Sequence, residues 1–124
     1  MPKIRVLVVE DDDDTRRLLE LELGEAGYDV IPALDGQHAL RIAKTARPKV
    51  LLVDLGLPLM SGEEFLRRWR ISADAKDATV VIVSGREDAP AVAESLGIRT
   101  VIPKPFRVED LLATVAQCAA PPAA

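Results

Sequence analysis

Five short apolar runs spaced along the chain constrain its fold more than any other feature of the sequence. They are IRVLVV (4–9), YDVI (28–31), VLLV (50–53), TVVIV (79–83) and RTVI (99–102). The first, third and fourth runs are almost continuously apolar, which is typical of strands buried on both faces of a parallel sheet. The second and fifth runs are weaker and predict the two edge strands.

Segments with helical spacing of apolar residues alternate with these runs. The last of them is the clearest, because Val108, Leu111, Leu112 and Val115 follow the i, i+3, i+4, i+7 pattern of an amphipathic helix. The other four predicted helices are marked by Leu18, Leu19, Leu23 and Ala26, by Ala39, Leu40 and Ala43, by Phe65, Leu66 and Trp69, and by the short segment 91–96. This alternation, with right-handed crossovers, predicts an α/β fold: a doubly wound, five-stranded parallel sheet with five flanking helices.

Turn-forming residues mark the ends of the predicted helices. Gly27 follows the first helix and Gly97 closes the fourth. Asp35 is suited to cap the second helix, which Pro48 ends. The tail CAAPPAA cannot continue the last helix through its two prolines. We therefore expect one domain, residues 1–119, followed at 120–124 by a Pro/Ala tail or the start of a linker.

Composition narrows the classes of function. The 124 residues are the size of one ordinary domain, and 16 basic against 20 acidic residues give a net charge of −4. That balance argues against a surface devoted to nucleic acid. The single cysteine, Cys118, fits a reducing compartment. The first residues lack a signal-peptide pattern, and no apolar run approaches the roughly twenty residues of a membrane span. We expect a cytoplasmic protein with no membrane insertion and no direct contact with nucleic acid.

Polar residues follow the predicted strands at the points where the strands end. Glu10 and Asp11 come after the first strand and Asp54 after the third. Ser84 comes after the fourth strand and Lys104 after the fifth. Ligand sites of open parallel sheets lie beyond the carboxyl ends of the strands, so we expect these side chains at one edge.

Three carboxylates there repel one another unless a hard cation separates them, and Mg²⁺ fits because it leaves positions for phosphate oxygens. Asp54 can then act as a nucleophile toward a phosphoryl group, with Lys104 and Ser84 contacting the transferred oxygens.

The acidic run EDDDD (10–14) is predicted to have two roles. Asp12, Asp13 and Asp14 are interpreted as the start of the first helix, because carboxylates cap first turns and are favoured by the helix dipole. Glu10 and Asp11 precede that helix and are assigned to the metal site. Of these two we expect Asp11 to be the direct ligand and Glu10 to act through water.

Four motifs in this order resemble the receiver domains of bacterial two-component response regulators. They are VLVVEDD (6–12), LLVDLGLPLMSG (51–62), VVIVSG (80–85) and IPKPF (102–106), and together they cover essentially the whole chain. The resemblance implies the flavodoxin-like strand order 2-1-3-4-5 and a phosphorylation-dependent signalling switch, not a turnover enzyme. The phosphoryl group would come from a sensor histidine kinase or a histidine phosphotransfer protein, and the downstream target is unknown.

The resemblance also implies roles for individual residues. Asp54 matches the phosphoacceptor, with Glu10 and Asp11 as the acidic pair that holds Mg²⁺ and the backbone carbonyl of Gly56 as a further ligand.

Ser84 matches the switch hydroxyl of that family, and Lys104 matches its lysine. Pro105 follows the lysine, and the peptide bond before it is typically cis in receivers. Pro58 and Gly62 match the turn after the phosphorylation site.

The chain departs from the family pattern near Lys104. Receivers commonly carry a Tyr or Phe three positions before the lysine, where this chain has Val101, and Pro103 stiffens the same loop. We still expect phosphorylation, but the aromatic readout is missing. The alternative is a receiver-like interaction module that is not phosphorylated. A phosphatase is disfavoured because its second Asp would stand at Gly56.

Some properties stay open at this point. His38, the only histidine, is poorly placed as a phosphodonor, so the donor histidine should belong to a partner. Gly56 and Arg86 flank the predicted site and could tune the lifetime of the phosphate. The sequence does not decide between a stand-alone domain and a piece of a longer regulator, and it leaves open a weak or phosphorylation-dependent dimer.

Overall fold

The structure, a computed structural model, describes residues 3–119 and contains a five-stranded sheet with helices on both faces. The elements in chain order are β1 (Arg5–Val9), α1 (Asp13–Glu25), β2 (Asp29–Ala33), α2 (Gly36–Ala46), β3 (Val50–Val53), α3 (Gly62–Arg70), β4 (Thr79–Ser84), α4 (Ala89–Ser95), β5 (Thr100–Pro103) and α5 (Val108–Ala119). A short 3-10 helix, Ala73–Asp77, connects α3 to β4. The predicted tail at 120–124 lies outside the described residues.

The strands are all parallel and lie in the order β2-β1-β3-β4-β5. This confirms the predicted strand order, and it confirms that the second and fifth strands are the edges. The connections change direction between β1 and β3, so the carboxyl ends of these two strands flank the crevice where open α/β sheets bind ligands.

Alternate residues of each strand face opposite sides of the sheet and belong to two apolar clusters. Leu7 and Val9 of β1 pack with residues of α2, α3 and α4, whereas Val6 and Val8 pack with residues of α1 and α5. Trp69 is 4% exposed and belongs to the first cluster, so it packs in the core. Burial on both faces explains why β1, β3 and β4 are continuously apolar. Within residues 3–119, none of the helices combines the length and the apolar character that crossing a membrane requires.

Several element boundaries differ from the prediction by one or two residues, most clearly the end of β2 and the start of α4 at Ala89. β2 runs to Ala33 and contains Pro32, which an edge strand tolerates because it pairs on one side only. The second helix stops at Ala46, and Arg47 takes a left-handed conformation with φ 49°. Pro48 follows directly and ends the helix as predicted, because a residue that precedes a proline is disfavoured in the α conformation.

Two further features differ from the helical pattern. Leu18 is 39% exposed, while Leu19 and Leu23 are buried, so α1 presents a narrower apolar stripe to the sheet than its sequence indicates. The 3-10 helix was not predicted, because a single tight turn of this kind leaves no apolar period to read.

Candidate functional site

An acidic cluster lies at the carboxyl ends of β1 and β3. Glu10 and Asp11 follow β1, Asp54 follows β3, and one carboxylate oxygen of each lies within 4.8 Å of the others. The members differ in exposure: the Glu10 side chain is 3% exposed and that of Asp54 is 13% exposed, while Asp11 is an exposed residue. The predicted acidic residues therefore do converge, and Asp54 and Asp11 form the accessible part of the cluster.

Lys104 is the cation of this cluster. Its Nζ atom lies 2.7 Å from Oε2 of Glu10 and 3.4 Å from Oδ2 of Asp54. One ammonium against three carboxylates leaves an excess of negative charge at the sheet edge. The cluster offers oxygen ligands, carries net negative charge and is partly open to solvent. Mg²⁺ prefers such donors, so these residues fit the expected ion.

The pKa values of Glu10 and Lys104 are shifted by burial and by the neighbouring charges. Burial raises the pKa of Glu10; the hydrogen bond from Lys104 opposes that rise and the charge of Asp54 adds to it. Burial alone would lower the pKa of Lys104, but the hydrogen bond to Glu10 and the charges of Asp54 and Glu10 outweigh it, and the pKa is raised. The raised pKa of Lys104 indicates a site that favours positive charge, whereas the raised pKa of Glu10 comes mainly from burial.

Both carboxylate oxygens of Glu10 are already engaged. Oε2 accepts from Lys104 Nζ, and Oε1 accepts from the backbone N–H of Asp12 at 3.2 Å. The backbone carbonyl of Glu10 accepts from the Arg16 guanidinium at 3.1 Å. Glu10 is thus held in one orientation beside Asp54.

The rest of the acidic run starts α1. Asp12 is the N-cap, and its carboxylate accepts from the N–H of Thr15 at 2.9 Å and from the Thr15 hydroxyl at 2.6 Å. The hydrogen bonds to Thr15 lower the pKa of Asp12. Asp13 and Asp14 lie in the first turn. The predicted division of the acidic run is confirmed for these three residues.

The loop after Asp54 is tightly folded against it. The N–H of Gly56 donates to Oδ1 of Asp54 at 3.2 Å, and the N–H of Gly62 donates to the carbonyl of Leu55 at 3.2 Å. A Cβ atom on Gly62 would overlap the carbonyl oxygen of Asp54, so this position requires glycine. Ser61 then caps α3 by accepting from the N–H of Glu64 at 3.2 Å. The Gly56 carbonyl as a metal ligand stays a prediction.

Ser84 lies at the end of β4, next to the loop that leads into α4. It is 2% exposed, and its Oγ accepts from the backbone N–H of Arg86 at 3.1 Å. Its carbonyl accepts from the N–H of Lys104 at 3.0 Å, which ties the ends of β4 and β5 together. The peptide bond between Lys104 and Pro105 is cis, as the resemblance implies.

Arg86 joins two loops at the site through ion pairs that the sequence did not reveal. Its Nε and Nη2 atoms donate to the two carboxylate oxygens of Asp88, at 2.9 and 2.7 Å. Its Nη1 atom donates to Oε1 of Glu63, at the start of α3, at 2.7 Å. The hydrogen bonds to Asp88 and then to Glu63 raise the pKa of Arg86. Glu63 resembles any carboxylate in a helix's first turn, so only the approach of the two loops identifies its role.

Val101 borders an open cleft beside Ser84. The cleft has a volume of about 380 Å³, and its lining includes Ser84, Arg86, Pro90, Val101 and Lys104. Val101 also lines a second cleft of about 300 Å³ on the side of Phe106. Val101 therefore borders a cleft on either side of β5.

A family model and several known sequences match most of this chain. The family model described as "Response regulator receiver domain" matches residues 6–116. The probable transcriptional regulator ycf27 of Porphyridium aerugineum is 35% identical over 115 residues, which are 93% of this chain and 48% of that protein. Response regulator MprA of Mycobacterium ulcerans is 35% identical over 112 residues, covering 89% of this chain and 47% of that protein. The chain spans about half the length of these curated relatives.

Solved structures share the fold over nearly the whole chain. Chemotaxis protein CheY4 of Vibrio cholerae has a TM-score of 0.88 and 29% identity, and the match covers 94% of this chain and 99% of that one. A putative response regulator from Chloroflexus aurantiacus has a TM-score of 0.86 and 28% identity, over 94% and 98% of the two chains.

Proposed function

This chain belongs to the response regulator receiver domain family, whose members act in phosphorylation-dependent two-component signalling, and on that premise we propose that Asp54 is its phosphoacceptor. Receiver domains are signalling domains and generally not turnover enzymes, and the family implies a histidine kinase as phosphodonor. One observation carries the proposal: the partly accessible Asp54 carboxylate lies beside both Lys104 and the acidic pair at the sheet edge.

In the proposed reaction a carboxylate oxygen of Asp54 attacks the phosphorus of a phosphohistidine on the partner. An O–P bond forms, the P–N bond breaks, and its electron pair leaves with the imidazole. Lys104 is within 3.4 Å of Asp54 and would pair with the oxygens of the transferred group. Ser84 would donate its hydroxyl to one of those oxygens and so favour a different position of its loop. Slow hydrolysis of the acyl phosphate by the domain itself is part of this proposal.

Glu10, Asp11, Asp54 and the carbonyl of Gly56 would hold Mg²⁺. When bound, the ion supplies positive charge between the carboxylates and the phosphoryl oxygens. The exposed Asp11 is the better direct ligand, because both oxygens of Glu10 already accept hydrogen bonds. Glu10 would therefore act through a water molecule.

A second candidate function is a receiver-like interaction module that is not phosphorylated. The clefts beside Val101 favour it, because the aromatic side chain through which receivers usually transmit phosphorylation is replaced by a short one. The complete set of Glu10, Asp11, Asp54 and Lys104 disfavours it.

Acetyl phosphate, a small phosphodonor, tests the proposal without knowledge of the natural partner. With Mg²⁺ present, the parent protein should gain one phosphoryl group by intact mass, and Asp54→Asn should gain none. Asp14→Asn removes an exposed carboxylate of α1 outside the cluster and should behave like the parent. Equal uptake by Asp54→Asn would refute the assignment. A parent that takes up no phosphoryl group and binds no Mg²⁺ would favour the interaction module.

A further inference from the structure

The Arg86 guanidinium connects the two loops that flank Asp54. One loop follows Ser84 and leads into α4, and the other follows Asp54 and leads into α3. Arg86 belongs to the first loop and is anchored there by its paired hydrogen bonds to Asp88. Its third hydrogen bond crosses to Glu63, which is 23 residues away in the sequence. We call this contact the Arg86–Glu63 clamp.

The Glu63 end of the clamp lies next to the backbone of Asp54. Glu63 follows Gly62, which packs against the backbone of Asp54 so closely that no Cβ atom fits. Its side chain is 22% exposed, whereas that of the next residue, Glu64, is 41% exposed and pairs with Arg67 and Arg68 on the same helix. Glu63 therefore adjoins the segment that packs on Asp54, whereas Arg86 belongs to the loop that carries Ser84.

The Arg86 end of the clamp is coupled to Ser84. The backbone N–H of Arg86 donates to Ser84 Oγ at 3.1 Å, so the position of this hydroxyl depends on where the loop lies. Because Arg86 is hydrogen-bonded to Ser84 Oγ through its backbone and to Glu63 through its guanidinium, a movement of Ser84 and residues 85–88 relative to α3 would strain or break the contact with Glu63.

We propose that Arg86 is a positioning residue and that the Arg86–Glu63 clamp restrains Ser84 and its loop in the arrangement of the unphosphorylated protein. This inference rests on the proposed function of Asp54 as phosphoacceptor. The clamp opposes the loop movement, and its loss increases the population of the arrangement that accepts the phosphoryl group.

The test compares phosphorylation rates of the full chain with acetyl phosphate and Mg²⁺, followed by intact mass. Glu63→Gln should raise the rate by about two- to fivefold, in line with the modest strength of exposed ion pairs. Glu64→Gln is the matched control: it removes the same charge one residue further along the same first turn and should leave the rate unchanged. Urea unfolding of both variants checks that they fold equally well.

A double-mutant cycle separates the clamp from a simple effect of charge. In the Arg86→Gln background the clamp is already broken, so Glu63→Gln should add no further increase. Hydrogen exchange of the unphosphorylated protein should be faster at residues 85–88 in Glu63→Gln than in Glu64→Gln. Equal phosphorylation rates for Glu63→Gln and Glu64→Gln would overturn the clamp. The same rate increase from Glu63→Gln in the parent and in the Arg86→Gln background would overturn it as well. If the parent protein is not phosphorylated on Asp54, that result would instead overturn the proposed function on which the clamp rests.

Discussion

At the scale of single residues, the site is constrained by close contacts around Asp54. Gly62 is the clearest case, because its N–H holds the carbonyl of Leu55 and its missing Cβ makes room for the carbonyl of Asp54. The sequence identified this glycine through the motif alone. The steric reason becomes visible only when the loop is folded back on the strand end.

Gly62→Ala should lower the free energy of unfolding by about 1–3 kcal/mol, the usual cost of inserting a carbon atom where there is no space. Gly24→Ala provides the control, because a Cβ atom there meets nothing within 4 Å and the position is inside α1. That change should raise the free energy of unfolding by about 0.5–1 kcal/mol. Urea titration measures both. A Gly62→Ala protein as stable as the parent would contradict the steric account.

Val101 is the residue whose consequence the sequence indicated best. The absence of an aromatic side chain is visible from the motif, and the structure adds that Val101 borders two clefts. Arg86 was identified only as a neighbour of the site. Its partners Glu63 and Asp88 were missed, because carboxylates near helix starts are common and their pairing depends on how two loops approach each other.

At the scale of elements, strands and helices were predictable because burial leaves a period in the sequence. The type and order of all ten regular elements follow from that period and from the resemblance. The errors lie where no period exists, as in the 3-10 helix Ala73–Asp77 and at the end of β2. Such features depend on turn geometry and on edge pairing, which tertiary context decides.

The boundary between β1 and α1 separates two roles in neighbouring carboxylates. Asp12→Ala removes the cap of α1 and should lower the urea midpoint while leaving phosphoryl uptake from acetyl phosphate intact. Asp11→Ala removes an exposed member of the acidic cluster and should abolish Mg²⁺-dependent uptake of the phosphoryl group. The urea midpoint should stay nearly unchanged or rise slightly, because one repulsive charge is gone. If Asp12→Ala also abolishes uptake, the division between cap and metal site is wrong.

At the scale of the whole molecule, the parallel sheet is what creates the site. Glu10 and Lys104 are 94 residues apart in the sequence, and Asp54 lies between them in the chain. Lys104 nevertheless contacts both carboxylates, because β1, β3 and β5 end at the same edge of the sheet. The sequence therefore predicted which residues meet, since topology alone brings them together. It did not predict how they are held, because the hydrogen bonds of Glu10 and the clamp of Arg86 depend on side-chain geometry.

Chemical trapping with borohydride identifies which carboxylate carries the phosphoryl group, and the proposed function assigns that group to Asp54 alone. After incubation with acetyl phosphate and Mg²⁺, borohydride reduces an acyl phosphate to the corresponding alcohol, which marks the phosphorylated residue in a peptide map. We expect conversion of Asp54 to homoserine. Chelation of Mg²⁺ before the incubation should prevent phosphorylation and therefore this conversion. Conversion of Glu10 or Asp11 in place of Asp54, or an unmodified Asp54 in protein that has gained the phosphoryl mass, would contradict the assignment to Asp54.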